Sequence, residues 1–179
     1  MILQKEFYFV RHGQTDHNLR KIKDKDHPAD ISLNNTGKDQ ATAIEPIIAL
    51  LPIQTICASP MKRVQETKQL ATARLQALHH EIHDLRECSA KAWKEMASQG
   101  MYSALPKEGK ARLFIDRVRS GINEALSLPG PLLIVAHGGV HWALCCLMGI
   151  ELHEWTIDNC GIVHFSVGPQ GKWIALRLA

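Results

Sequence analysis

The sequence predicts an α/β fold, a three-layer α/β/α sandwich around a mostly parallel central sheet. Short apolar runs alternate with longer stretches of helical periodicity along the chain, the pattern left by strand–helix–strand crossovers. Three of those runs end in polar tips: Val10 runs into Arg11-His12-Gly13, Ala58 into Ser59-Pro60, and Ala136 into His137-Gly138-Gly139. In such sheets ligands bind beyond the carboxyl ends of the strands, so all three tips are expected to meet at one edge. A length of 179 residues suits a single domain, 1–179, with a short variable cap segment at about 88–110.

The elements follow in order. Glu6 to Val10 reads as a buried strand. Leu33-Asn34-Asn35-Thr36-Gly37 is a turn into a helix from Gly37 to Leu50, with Ala41, Ile44, Ile47, Ile48 and Leu51 at helical spacing; Pro46 is a point of kinking or shortening. Gln54 to Ala58 is a second strand. A helix from Lys62 to Ala77 follows, with Val64, Thr67, Leu70, Ala71 and Leu75 on its apolar face. His80 to His83 reads as a short edge strand, Ala90 to Gln99 as a helix and Gly100 to Gly109 as a loop.

Lys110 to Leu126 is an amphipathic helix through Leu113, Phe114, Val118, Ile122 and Leu126. Pro129-Gly130-Pro131 ends it, and Leu132 to Ala136 is the most apolar strand. Val140 to Met148 is a helix, and the apolar Cys145–Ile150 stretch suits core or interface. Ile162 to Val167 and Trp173 to Leu178 close the chain around Gly168-Pro169-Gln170-Gly171.

Composition narrows the function. Twenty-one basic against 18 acidic residues leave a net charge of +3, too mild for a nucleic-acid surface. The one dense run, Lys21 to Asp26, alternates sign like a solvated loop. No stretch approaches the ~18 apolar residues of a membrane span, and Met1 to Glu6 lacks the pattern of a signal peptide. Five cysteines without a CxxC spacing suit reduced, buried thiols, and a cytoplasmic location is expected.

The converging tips supply a distinct chemistry. Arg11 and Arg63 are permanent cations with fork geometry for phosphate oxygens. His12 and His137 can each serve as nucleophile, base or donor. Gly13, Gly138 and Gly139 allow backbone N–H groups to approach an anion near helix N-termini. Glu87 adds a carboxylate that could donate a proton. Together these suit a tetrahedral dianion, with one carboxylate to spare for a leaving group.

The motifs themselves carry a resemblance. Arg11-His12-Gly13-Gln14-Thr15-Asp16-His17-Asn18 resembles the RHGxTxxN signature of the histidine phosphatase superfamily, the phosphoglycerate-mutase-like proteins. Leu33 to Gly37 is similar to the family's LTxxG turn, and Ser59 to Thr67 to its SPLxRAxQT element. Leu85-Arg86-Glu87 with Trp93 is similar to LREIxxGxW, Ile134 to Val140 to the HGG turn, and Asn159-Cys160-Gly161 to NCS.

The resemblance implies that His12 attacks phosphorus and becomes a phosphohistidine. It implies that Arg11, Arg63 and His137 hold the equatorial oxygens, with Asn18, Gly13 and Gly138 binding phosphate. Glu87 would protonate the leaving oxygen and then deprotonate water. Such chemistry needs no metal or other cofactor. The partners implied are a small phosphorylated substrate and inorganic phosphate, with neither nucleic acid nor membrane; oligomeric state is not legible.

Departures from the family pattern refine this reading. Lys91 and Lys94-Glu95 stand near Trp93, where the family carries glycines, so that segment can be helical and the pocket wall different. The stretch from Glu87 to Pro129 is short, and Gly139 stands where mutases commonly have Asn. Both favour a phosphatase over a phosphoglycerate-type mutase. Family members acting on protein phosphohistidine commonly lack the acid matching Glu87, so Glu87 favours an oxygen ester over that activity. A non-catalytic phosphate-binding module is the alternative from another class. The four-residue spacing of His137 and His141 is also that of two metal ligands on one helix, without a third ligand in view; His79, His80 and His83 read as a polar edge, and Trp93, Trp142, Trp155 and Trp173 as packing.

Overall fold

The computed structural model describes residues 1–20, 30–98, 105–150 and 157–179. Among the described residues, β1 (Phe7–Arg11), β2 (Thr55–Ala58), β3 (Leu78–Glu81), β4 (Leu132–Ala136), β5 (Ile162–Val167) and β6 (Trp173–Arg177) form one sheet. Its order is β3-β2-β4-β1-β5-β6. The first four strands are mutually parallel, and β5 runs antiparallel to both β1 and β6. Register aligns Arg11 with Ala136 and Ala58 with Val135, so β1, β2 and β4 end side by side, as the polar tips predict.

Period-two alternation divides the core between the two faces of the sheet. Phe7, Phe9, Cys57, Leu132 and Ile134 face one cluster with α5 (Ala90–Ser98), α6 (Gly109–Ser127) and α7 (Gly138–Met148). Val10, Ile56, Ala58, Leu133 and Val135 face the other with α2 (Asn35–Ala43), α3 (Glu45–Ile48) and α4 (Lys62–Ala71). Phe7 stacks on Phe165 with ring centroids 5.0 Å apart, and burying each such ring contributes roughly 1.5–3 kcal/mol. The short α1 (Asp16–Arg20) follows the first polar tip.

Three elements differ in extent from the sequence reading. The expected helix 37–50 is two pieces: Asn34 caps the first through a bond from Gly37 N (2.9 Å), and Pro46 sits in the first turn of the second. The helix from Lys62 stops at Ala71, not Ala77, where the β-branched Thr72 turns its hydroxyl back on the Lys68 carbonyl (2.7 Å). The edge strand is Leu78–Glu81, because its pairing to β2 begins at Leu78 opposite Thr55.

Leu113, assigned to the apolar face of its helix, is 63% exposed. The buried stripe runs through Ala111, Phe114, Ile115, Val118, Ile122 and Ala125, and Leu113 falls one position off it.

All five cysteines are free. Burial pushes the Cys57 and Cys160 thiols up to about 12 and Cys146 to about 11. Cys145 and Met148 are buried in the core, so this part of α7 is interior. No helix of the described residues is long and apolar enough to cross a membrane. The Lys21–Asp26 run, Trp155 and much of the expected 100–109 loop lie outside the described residues.

Candidate active site

Beyond Arg11 the ladder continues for one residue, with His12 N donating to Ala136 O at 3.0 Å. The His12 ring is buried. Its Nδ1 lies 2.7 Å from the Gly13 carbonyl, while Arg63 Nε donates to its Nε2 at 3.1 Å. A carbonyl only accepts and a guanidinium only donates. Nδ1 therefore carries the hydrogen, and the lone pair is on Nε2.

The turn after His12 is held from several sides. Gly13 N donates to Thr67 Oγ1 (3.0 Å), and that hydroxyl donates to Arg63 O (2.7 Å). Asn159 Nδ2 donates to His12 O at 2.9 Å. A Cβ on Gly13 would stand 2.4 Å from Gly37 O, so α2 can abut this turn only at a glycine.

His137 follows β4 at the N-cap of α7 and is fully buried. Arg63 Nη2 lies 3.2 Å from its Nδ1, and Ser59 Oγ lies 2.9 Å from its Nε2. The same donor logic makes Nδ1 the acceptor and Nε2–H the donor to Ser59. Arg63, on the first turn of α4, thus bridges two histidines whose ring centroids are 5.2 Å apart.

Electrostatics reinforce the neutral state of both rings. Burial, then Arg63 and Arg11, hold His12 well below the ordinary histidine value, against a smaller opposing effect from the Gly13 carbonyl. His137 is lowered by burial first and by Arg63 next. Desolvation is the larger cause and the arginines the smaller one.

Glu87 follows the 3₁₀ turn His83–Leu85 and reaches the same edge. Its Oε1 accepts from Cys88 N (2.9 Å) and its Oε2 from Gly139 N (3.3 Å). Arg11 Nη1 donates to Ile157 O at 2.7 Å, and its guanidinium lies against Gly138, where a Cβ would be 3.5 Å from Nε.

The sequence-derived set therefore gathers at one edge, with two changes of detail. Two of the three glycine amides expected to face an anion are engaged within the protein, Gly13 by Thr67 and Gly139 by Glu87. Asn18 braces its own turn, its Oδ1 accepting from Thr15 N (2.9 Å) and Thr15 Oγ1 (3.0 Å). Ser59, Thr67 and Asn159 stand in the motifs without an assigned role; only their bonds reveal one. His137 lies outside the helix that carries His141, and His141 packs against Phe9 (5.7 Å) and Phe165 (5.9 Å), so the spacing of the two does not build a shared helical face.

Fold and site together define an α/β protein with a buried pair of histidines bridged by arginine at the carboxyl edge of its sheet. Residues 7–178 match the family described as histidine phosphatase superfamily (branch 1), and the chain belongs to that superfamily. It is 32% identical over 181 residues to an agropine synthesis reductase of Rhizobium rhizogenes, covering 92% of this chain and 40% of that protein.

The chain thus spans well under half the length of that relative. It is 30% identical over 182 residues to the uncharacterized phosphatase PhoE of Bacillus subtilis, covering 86% of this chain and 92% of the relative. Among solved structures, a mycobacterial glucosyl-3-phosphoglycerate phosphatase shares the fold with a TM-score of 0.72 at 19% identity, covering 96% of this chain and 97% of that one.

Proposed function

We propose that this protein is a phosphatase that hydrolyses a small phosphomonoester through a phosphohistidine at His12. The observation that carries the reading is the His12 tautomer: a neutral ring whose Nε2 lone pair faces the Arg63 guanidinium. A phosphate dianion arriving at Arg63 and Arg11 takes over their donors and meets that lone pair. Nε2 then attacks phosphorus in line, the N–P bond forms, and the ester P–O bond breaks. Glu87 delivers its proton to the departing oxygen. The Nδ1–H bond to Gly13 O supports the positive charge that develops on the phosphorylated ring.

In the second step water attacks the phosphorus, Glu87 takes the water's proton, and the N–P bond breaks to return His12 and inorganic phosphate. His137 contributes through Ser59. Ser59 accepts from the His137 Nε2–H, which leaves Nδ1 to receive Arg63 Nη2 and orient that guanidinium toward the phosphate. The scheme draws on no metal or cofactor.

The name of the Bacillus relative supports phosphatase activity, and that of the mycobacterial glucosyl-3-phosphoglycerate phosphatase supports a small phosphomonoester. Glu87 favours an oxygen ester over protein phosphohistidine, because a phosphoramidate leaving group has less need of a proton donor. The test is phosphate release from p-nitrophenyl phosphate in EDTA by wild type and His12→Ala. Turnover that survives the chelator and vanishes in the variant is expected. Equal turnover in both excludes His12 as nucleophile. Tight phosphate binding without turnover of any small phosphomonoester replaces this reading with a binding module.

A further inference from the structure

We propose that Arg117 is a positioning residue for the reaction, holding the backbone turn that presents Glu87 to the phosphate site. The inference rests on the reading of Glu87 as proton donor.

Arg117 projects from the middle of α6 toward the segment that follows the 3₁₀ turn. Its Nη1 donates to Asp84 O at 2.9 Å, and its Nη2 donates to Arg86 O at 2.8 Å and Glu87 O at 3.2 Å. Residues 86–89 belong to no helix or strand, so their carbonyls have no regular ladder to join. One planar guanidinium closes three carbonyls of this turn, a task that uses its fixed fork. The Phe114 ring lies beneath it, 5.1 Å from the guanidinium carbon to the ring centroid.

One helical turn on, Gly121 lets α6 come close. A Cβ there would stand 2.8 Å from Asp84 Cβ. At the other end of the residue, the Glu87 carboxylate is fixed by Cys88 N and Gly139 N. Glu87 is thus held twice, its backbone by Arg117 and its carboxylate by the first turn of α7. A group that hands a proton to a leaving oxygen and takes one from water must be placed within a fraction of an ångström. Arg117 supplies half of that placement without being placed among the phosphate-facing residues.

The test compares kcat/KM for two substrates, because that ratio covers events only up to departure of the leaving group. p-Nitrophenol leaves readily without a proton, whereas the alcohol of glycerol 2-phosphate needs one. Glu87→Gln is expected to lose roughly a hundredfold on glycerol 2-phosphate and to change little on p-nitrophenyl phosphate.

Arg117→Gln is expected to show the same selectivity at about tenfold, with unchanged inhibition by inorganic phosphate. Adding Arg117→Gln to Glu87→Gln is expected to cost nothing more. Equal loss on both substrates, no loss on either, or full additivity with Glu87→Gln overturns the proposal. If Glu87→Gln itself lacks selectivity, the proton-donor reading fails and takes this one with it. Should Arg117→Gln not fold, Arg117→Lys carries the test, since an ammonium does not span three carbonyls. A smaller selective loss is then expected, and wild-type selectivity overturns the proposal.

Discussion

Arg63 Nε donates to His12 Nε2 across 3.1 Å, from a guanidinium that is itself buried. The same group reaches His137 Nδ1 at 3.2 Å, so one cation sets the tautomer and orientation of both rings. Arg63→Ala is expected to lower kcat/KM about 10²–10³-fold, the range for removing one preorganised donor. Arg63→Lys is expected to recover little of it, because a point charge cannot contact both rings as a fork does. Full activity in the lysine variant would contradict the bridging role, and steady-state kinetics on p-nitrophenyl phosphate decides.

His141 ties stability to pH. Its ring is buried between Phe9 and Phe165, and burial, followed by the charge of Arg11, pushes it down to about 3. Below the ordinary value of 6.5 the unfolded chain binds a proton that the native ring refuses. Stability is therefore full above pH 6.5 and falls as the pH drops from there toward 3. The slope for one such group is about 1.4 kcal/mol per pH unit. Denaturant unfolding at a series of pH values is expected to show a slope that much shallower in His141→Leu. An unchanged slope would mean that His141 already takes up a proton in the native state.

Two glycines separate a folding effect from a catalytic one. A Cβ on Gly37 would stand 2.1 Å from Gln14 O, and one on Gly13 2.4 Å from Gly37 O, both backbone atoms that cannot move aside cheaply. Gly37→Ala is expected to cost about 1–3 kcal/mol or more, measured as a drop in Tm. A Tm equal to wild type would show that α2 does not abut the turn after His12.

Gly139→Ala acts differently. The added Cβ would be 2.2 Å from Glu87 Oε1, the far end of a side chain that can swing away. A modest Tm change with roughly tenfold or greater loss of kcat/KM on an alkyl phosphate is expected, since a misplaced acid costs rate rather than fold. Retained activity would show that the bond from Gly139 N does not locate Glu87.

Much of this was legible in the chain. Short continuous apolar runs such as Leu132 to Ala136 mark buried strands, and the tips at His12, Ser59 and His137 mark the edge where the site lies. Helix ends were less legible. Thr72 caps the end of α4 with its hydroxyl on Lys68 O, a local bond that apolar spacing does not report. The roles of Ser59, Thr67 and Asn159 depend on bonds to residues 54 to 147 positions away. Arg117 left no local mark, because an arginine beside a helix's buried stripe reads as a solvated charge until the carbonyls it meets are known.

The most direct measurement of the central claim is to trap the phosphoenzyme. Wild type is mixed with a radiolabelled phosphomonoester, quenched in alkali, digested, and its peptides mapped. Label is expected on the peptide containing His12, stable in base and released by mild acid, and is expected to be absent in His12→Ala. Acid-stable label, or label on a peptide lacking His12, would contradict a phosphohistidine at this residue.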